Sequence, residues 1–421
     1  MNLRDKEKDF LINFVANYQL SESISNIAFM NASTYLPSKS RYEILDGLRG
    51  VAALIVLAYH HFDLYNMGDP VHAIINHGYL AVDFFFILSG FVIGYAYDDR
   101  WDRMSLKDFF KRRLVRLHPM IVFSTLIGMV FFYFGRGDMF PLIAETSVAM
   151  LLICAVLSIL MIPTPLSMDI RGWGEINAIN GNAWTLYFEY FANILYALVI
   201  RRFSKWMLAI FVAISAFFTL NLALNWDIFG TFSERIMQQY TMIGGWTLNA
   251  EQMTIGFTRL LFPFFAGLLM SRIGCAIKLR AGFWWTSLLL IVILLMPRIG
   301  GTENGILNGA YEAFCIIVLF PVLVAMGAGS PVSGRSAKVC KFLGDISYPL
   351  YIVQYPIVYT LLGAWTKANP AAGLGQTIFI NISVFLFSIF VAYASLKTYD
   401  EPVRKWLSEK WLKRKANSKN Q

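Results

Sequence analysis

Charge is scarce in this sequence. Asp, Glu, Lys and Arg make up 15% of 421 residues while 57% are hydrophobic, a balance that excludes an ordinary soluble enzyme and points to a membrane chain. Cysteine is scarce too. The four present, Cys154, Cys275, Cys315 and Cys340, are scattered, with no Cys-x-x-Cys spacing and no His cluster beside them, so free thiols are expected, neither disulfides nor metal ligands. Residues 1–43 lack a long apolar run followed by a small-residue cleavage site, so no secretory signal peptide is read there and the first span is expected to insert the chain. No repeat of fixed period and no appended soluble catalytic domain stand out, which leaves any chemistry to the membrane-embedded part. The formal charge of +9 does not argue for nucleic acid. The basic residues lie in short stretches between apolar runs, where orientation in the membrane accounts for them.

What is present is a series of apolar runs of about 17 to 22 residues, the length that crosses a hydrocarbon core of about 30 Å. They predict an all-α fold, a polytopic transmembrane helical bundle of about ten spans: 44–63, 79–97, 118–134, 184–200, 207–224, 253–270, 282–297, 306–326, 346–365 and 374–395. An eleventh stretch, 143–162, ends in Pro163-Thr164-Pro165 and is expected to be re-entrant or interfacial. With both termini cytoplasmic, that arrangement leaves 29 of the 36 Lys and Arg residues on the cytoplasmic side and five outside. A full span at 143–162 would turn the later basic loops outward, against the positive-inside rule. The chain thus divides into a cytoplasmic arm (1–43), a membrane domain (44–395) and a basic cytoplasmic tail (396–421). Within the tail, Glu401–Gln421 is expected to form a short helix on the lipid surface, with Trp406 and Trp411 as anchors.

An ionisable group inside a span costs about 2.5 to 3.5 kcal/mol on insertion scales, so each one here is a candidate for function. Arg49 and His60 share the first span, eleven positions apart, about 16 Å along a helix and broadly on one side. An arginine fork can hold phosphate and a histidine can act as a base near neutral pH; an inner snorkelling arginine and an interfacial histidine fit equally well. Asp83 sits among aromatics near the same end as His60, where it would orient the imidazole or simply begin a helix. Arg113 and Arg116, an i, i+3 pair at the cytoplasmic boundary, suit a polyphosphate or a positive-inside anchor. Glu189 has no basic neighbour within a turn and must be solvated, protonated or paired across the bundle. Trp184 and Tyr187 suit either a sugar-stacking surface or an aromatic belt. Arg259 is a mid-chain intramembrane cation that needs a carboxylate or a phosphate.

These residues fall in motifs that resemble the membrane acyltransferase 3 family over about 41–406. Arg49 and His60 in LDGLRGVAALIVLAYHH match its Arg/Lys-x10-His hallmark. AVDFFFILSGF is similar to its Gly-Val-Asp-x-Phe-Phe-x-x-Ser-Gly-Phe span, with Ala81 for the first glycine. Arg113, Arg116 and Pro119 match Arg-x-x-Arg-x-x-Pro, and Trp184, Thr185, Leu186 and Glu189 match Trp-Ser-Leu-x-x-Glu with threonine for serine. Arg259, Phe264 and Gly267 follow Arg-x-x-x-x-Phe-x-x-Gly, and Glu401-Pro402-Val403-Arg404 resembles the family's end. Gln354 departs from the pattern, standing where many members carry His.

The resemblance implies an O-acyltransferase of a bacterial inner membrane that takes acetyl, or a similar acyl group, from cytoplasmic acetyl-CoA to a hydroxyl of a surface or exported saccharide. Acetyl-CoA enters as a donor substrate, and no permanently bound cofactor or metal is expected. His60 would be base or acyl carrier, with Asp83 or Glu189 tuning it. Arg49, Arg113, Arg116 and Arg259 would hold the donor, and Trp184, Tyr187 and Gln354 the acceptor. Family members fused to an extracytoplasmic hydrolase-like domain finish the transfer there, so this chain is expected to act alone or with a separate extracytoplasmic partner. The competing reading is a transporter or flippase of a lipid-linked sugar or small anion, with the same charges lining a permeation path.

Overall fold

The computed structural model describes residues 39–412 except 67–68, 70–71, 136–138, 233–234, 236–237 and 302. The arm up to residue 38 and the tail beyond 412 lie outside the described residues. Within them the chain is all-α, with no strand and one isolated bridge between Glu175 and Thr247. The helices are α1 (Glu43–Asn66), α2 (Ala81–Tyr97), α3 (Leu106–Phe134), α4 (Val148–Leu160), α5 (Trp184–Leu198), α6 (Lys205–Ala223) and α7 (Ala250–Ile273). They continue with α8 (Gly282–Leu295), α9 (Gly305–Phe314), α10 (Phe320–Gly329), α11 (Gly334–Ile357), α12 (Gly363–Ala368), α13 (Leu374–Ser395) and α14 (Glu401–Leu407).

Among the described residues, six helical segments are long and apolar enough to cross a membrane: Gly78–Tyr97, Leu106–Phe134, Lys205–Ala223, Ala250–Ile273, Gly305–Gly329 and Leu374–Leu412. The 143–162 stretch contains α4, whose 13 residues span about 20 Å, short of a hydrocarbon core of about 30 Å. Ser147 caps its start through the Met150 amide, and Met161 ends it in the left-handed conformation. The expected span at 282–297 is also short, 14 residues in α8.

At two prolines the helix widens instead of stopping, while Pro119 and Pro263 are carried inside α3 and α7. Proline has no N–H for the carbonyl four residues back, and π-helical turns at Cys315–Leu319 and Leu396–Asp400 precede Pro321 and Pro402. The second of these joins α13 to α14, so residues 401–412 prolong the last span as one rod; no separate surface helix starts at Glu401.

Two close helix pairs set the frame of the site. Along α1 and α11, a Cβ on Gly50 would overlap the Leu343 carbonyl; along α2 and α7, a Cβ on Gly90 would overlap the Phe264 carbonyl, and one on Gly267 the Ile87 carbonyl. Small residues let backbones approach where the lipid supplies no hydrophobic drive. Gly90→Leu is therefore expected to lower the thermal midpoint of the detergent-solubilised protein, since overpacking costs about 1 to 3 kcal/mol or more; an unchanged midpoint would show that the pair separates freely.

Candidate functional site

Each glycine seam carries one end of a polar arrangement. On α1, His60 keeps some accessible surface although helices surround it. Its Nδ1 lies 3.0 Å from the Tyr359 hydroxyl, that hydroxyl donates to Asp63 at 2.8 Å, and Asn182 lies close to the ring. Tyr355 packs on Tyr359 with ring centroids 4.5 Å apart and planes tilted by 37°, and its own hydroxyl donates to Glu175 at 2.9 Å. Glu175 is ion-paired to Arg171, whose guanidinium lies against the rings of Phe132, Phe140 and Tyr355. Burial pushes the Glu175 carboxyl above the ordinary carboxylate range, against the opposite pull of Arg171 and of the Tyr355 hydroxyl.

Local sequence explains how the 162–183 segment reaches this site. Pro356 has no N–H to offer the Ile352 carbonyl four residues back. That carbonyl instead accepts from Asn180 Nδ2 at 2.6 Å, and the neighbouring Tyr351 carbonyl accepts from Asn182 Nδ2 at 2.9 Å. Asn177 Oδ1 in turn accepts from the amides of Ile179 and Asn180. Buried backbone groups need such partners, and here they fasten the loop to α11.

Along α2 and α7, Asp83 (0% exposed) and Arg259 (1%) form a buried ion pair at 2.7 Å. Arg259 also donates to the carbonyls of Tyr79 at 2.7 Å and Gly244 at 3.1 Å, and Trp184 covers it, ring centroid 5.3 Å away. The structure therefore joins Asp83 to Arg259 and not to His60, and Trp184 to that pair and not to an open sugar-binding face. Arg259 has four of its five donor hydrogens engaged by these partners and does not join the other arginines.

Arg113 and Arg116 are brought to different tasks. Arg113 Nη2 donates to Glu189 at 2.7 Å, and Ser89 donates to the same carboxylate oxygen at 2.9 Å. Glu189 is thus paired across the bundle, 76 positions from its cation. Arg116 makes no ion pair among the described residues, and Arg404, Arg49 and Arg41 all bear on it electrostatically. Three of these have acid partners: Arg41 with Asp345 at 3.1 Å, Arg404 with Asp400 at 2.9 Å, and Arg49 more loosely with Asp46 at 3.7 Å.

Between the arginines and His60 runs one face of α11 and of the π-helical turn that follows it: Asp345, Tyr348, Tyr351, Tyr355 and Tyr359. From the first to the last is about 21 Å of helix. Tyr348 donates to the Leu117 carbonyl at 2.7 Å and lies within electrostatic reach of both Arg116 and Glu189. Tyr351 shares a 3.0 Å hydrogen bond with Thr185. Tyr187 bonds to the Ile162 carbonyl at 3.2 Å and to Asn177, against the 162–183 segment. Gln354 is fully buried, and its amide finds no hydrogen-bond partner among the described residues.

Sequence reasoning missed Asp63, Tyr355, Tyr359, Glu175, Arg171 and Arg404 as site residues. The α11 tyrosines had a signal, a repeat at helical spacing ending in Tyr355-Pro356. The arrangement offers an imidazole with a defined hydrogen-bond partner at one end and clustered guanidinium groups at the other. A permeation path would need its charges open to the passing solute, whereas Arg259 and Arg113 are closed on Asp83 and Glu189.

A family model described as an acyltransferase domain matches residues 42–396. Protein 2 in picA locus of Rhizobium radiobacter is 31% identical over 186 residues, which are 42% of this chain and 91% of that protein. O-acetyltransferase OatA of Staphylococcus aureus is 22% identical over 386 residues, 89% of this chain but 58% of that protein. Peptidoglycan O-acetyltransferase OatA of Listeria monocytogenes is 30% identical over 107 residues, 25% of this chain and 15% of that protein. The chain therefore spans little more than half of the staphylococcal relative. No solved structure matches.

Proposed function

The chain belongs to the acyltransferase 3 family, and we propose that it moves an acetyl or similar acyl group from cytoplasmic acetyl-CoA to a hydroxyl of an exported polysaccharide. The observation that carries this reading is the single α11 face that connects the Arg49, Arg116 and Arg404 cluster to His60. Clustered guanidinium groups suit the phosphates of a nucleotide thioester. The rise of about 16 Å from Arg49 to His60 along α1 is one that the donor's flexible arm would have to bridge to carry the thioester from that rim towards the imidazole. The saccharide hydroxyl oxygen attacks the thioester carbonyl carbon, forming the new C–O bond, while its proton passes to His60. The C–S bond breaks, the electron pair leaves on sulfur, and the thiolate takes the proton back from the imidazolium.

In this reading the chain lies in the cytoplasmic membrane with ten crossings and both termini inside, as its Lys and Arg distribution favours. The acceptor meets His60 from the outer side, delivered directly or through a separate extracytoplasmic partner. Peptidoglycan is named for the Listeria relative; the same class, an exported glycan hydroxyl, is the acceptor assigned here.

The test is transfer of labelled acetyl from acetyl-CoA to a saccharide acceptor by proteoliposomes containing the chain. No transfer above protein-free vesicles would sink the reading. For the donor clamp, Arg116→Ala should raise KM for acetyl-CoA roughly tenfold, the scale of one lost charge-assisted hydrogen bond, with kcat little changed. Equal KM values would remove Arg116 from the donor site.

A further inference from the structure

Resting on that transfer reading, the geometry points to Asp63 and Tyr359 as a positioning relay that holds the proton of His60 on Nδ1 and leaves the Nε2 lone pair to act.

The argument is a count of hydrogens. The Tyr359 hydroxyl has one, and it points to Asp63 Oδ2 at 2.8 Å. An ionised carboxylate accepts only, so the tyrosine oxygen has nothing left to donate. His60 Nδ1 lies 3.0 Å from that same oxygen and must supply the hydrogen itself. In a neutral imidazole the second nitrogen, Nε2, then carries the lone pair. The partner of one ring nitrogen thus sets what the other can do.

The backbone is shaped to deliver this contact. Tyr359 belongs to the π-helical turn Val358–Leu362 that follows Pro356. Such a turn inserts an extra residue and rotates the side chains after it, and it recurs at functional sites. Tyr355 packs on the Tyr359 ring, Trp173 meets it edge-on at 5.2 Å, and His60 lies edge-on to both tyrosines at 5.8 and 5.5 Å. Asp63 stands three residues beyond His60 on α1, hence on the same helical face. Both ends of the relay therefore come from one rigid helix and the middle from its tightly packed neighbour.

Two measurements test this. In protein labelled with 15N-histidine and reconstituted in nanodiscs, the ring-nitrogen signals of His60, assigned by their loss in His60→Gln, should report hydrogen on Nδ1. Tyr359→Phe should abolish that preference, and so should Asp63→Ala, which removes the acceptor of the tyrosine hydrogen and serves if the tyrosine variant fails to fold. A wild-type ring protonated on Nε2, with Asn182 as its acceptor, or a tautomer unmoved in both variants, overturns the relay. In the transfer assay each variant should lower kcat roughly 10- to 100-fold, the usual scale for a lost orienting partner, with KM for acetyl-CoA within about twofold. The double variant should be no worse than either single one, since the two act as one unit. Additive losses or a wild-type kcat overturn the relay while leaving the transfer reading intact. A wild-type protein without transfer sinks that reading instead, and the nitrogen signals still decide the relay.

Discussion

His60→Ala is expected to lower acyl transfer by roughly 10²- to 10⁴-fold, the contribution of a positioned general base, while the protein inserts and folds as before. Structural loss should be small because the imidazole is only half-buried and sits at the edge of the Tyr355 and Tyr359 pair. Affinity for acetyl-CoA, measured by calorimetry on purified protein, should change little, because Arg49, the cluster member on the same helix, lies about 16 Å of helix away. His60→Gln keeps most of the side-chain volume and should be as inactive as alanine. A variant retaining more than about a tenth of wild-type turnover would take the histidine out of the reaction, whatever its surroundings.

The second large effect is on folding. Arg259→Ala leaves the Asp83 carboxylate fully enclosed without its cation, and breaking such a pair from one side costs about 3 to 5 kcal/mol. The expected result is a sharply reduced yield of folded protein, read by size-exclusion elution and thermal midpoint in detergent. Replacing both partners by apolar residues, Asp83→Leu with Arg259→Met, should recover most of the loss, since the penalty comes from the stranded charge. Activity in the double variant then tells whether the pair does more than hold α2 to α7. Wild-type stability in Arg259→Ala, with weakened acetyl-CoA binding, would instead return this arginine to the donor-binding group.

Much of the fold could be read from the order of apolar runs, because a chain in lipid has few ways to satisfy its backbone other than helices. Arg49 and His60 fall on one helix at the expected spacing, since helical geometry alone relates them. Partners across the bundle were another matter. Asp83 and Arg259 are 176 residues apart and Arg113 and Glu189 are 76 apart, and nothing local in the chain states that α2 lies on α7 or α3 on α5. The glycines at 90 and 267 hold that information, but only after the helices are docked does each glycine acquire a reason. The loop residues Arg171 and Glu175 looked like ordinary polar residues outside the lipid. Their burial depends on Pro356, which releases a carbonyl on a distant helix. Tyr359 escaped notice because a tyrosine in an apolar segment usually marks an interface, and the π turn that aims it has no strong local signature.

The arginines at 41, 49, 116 and 404 have one more implication. Three of them hold acid partners, Asp345, Asp46 and Asp400, while Arg116 has no ion pair among the described residues and feels the other three cations. A multivalent anion settling among them would supply a counter-charge, so if the proposed nucleotide thioester is that anion, the molecule's lifetime would follow the supply of that nucleotide. A cell short of the thioester would then lose the catalyst as well as the reaction.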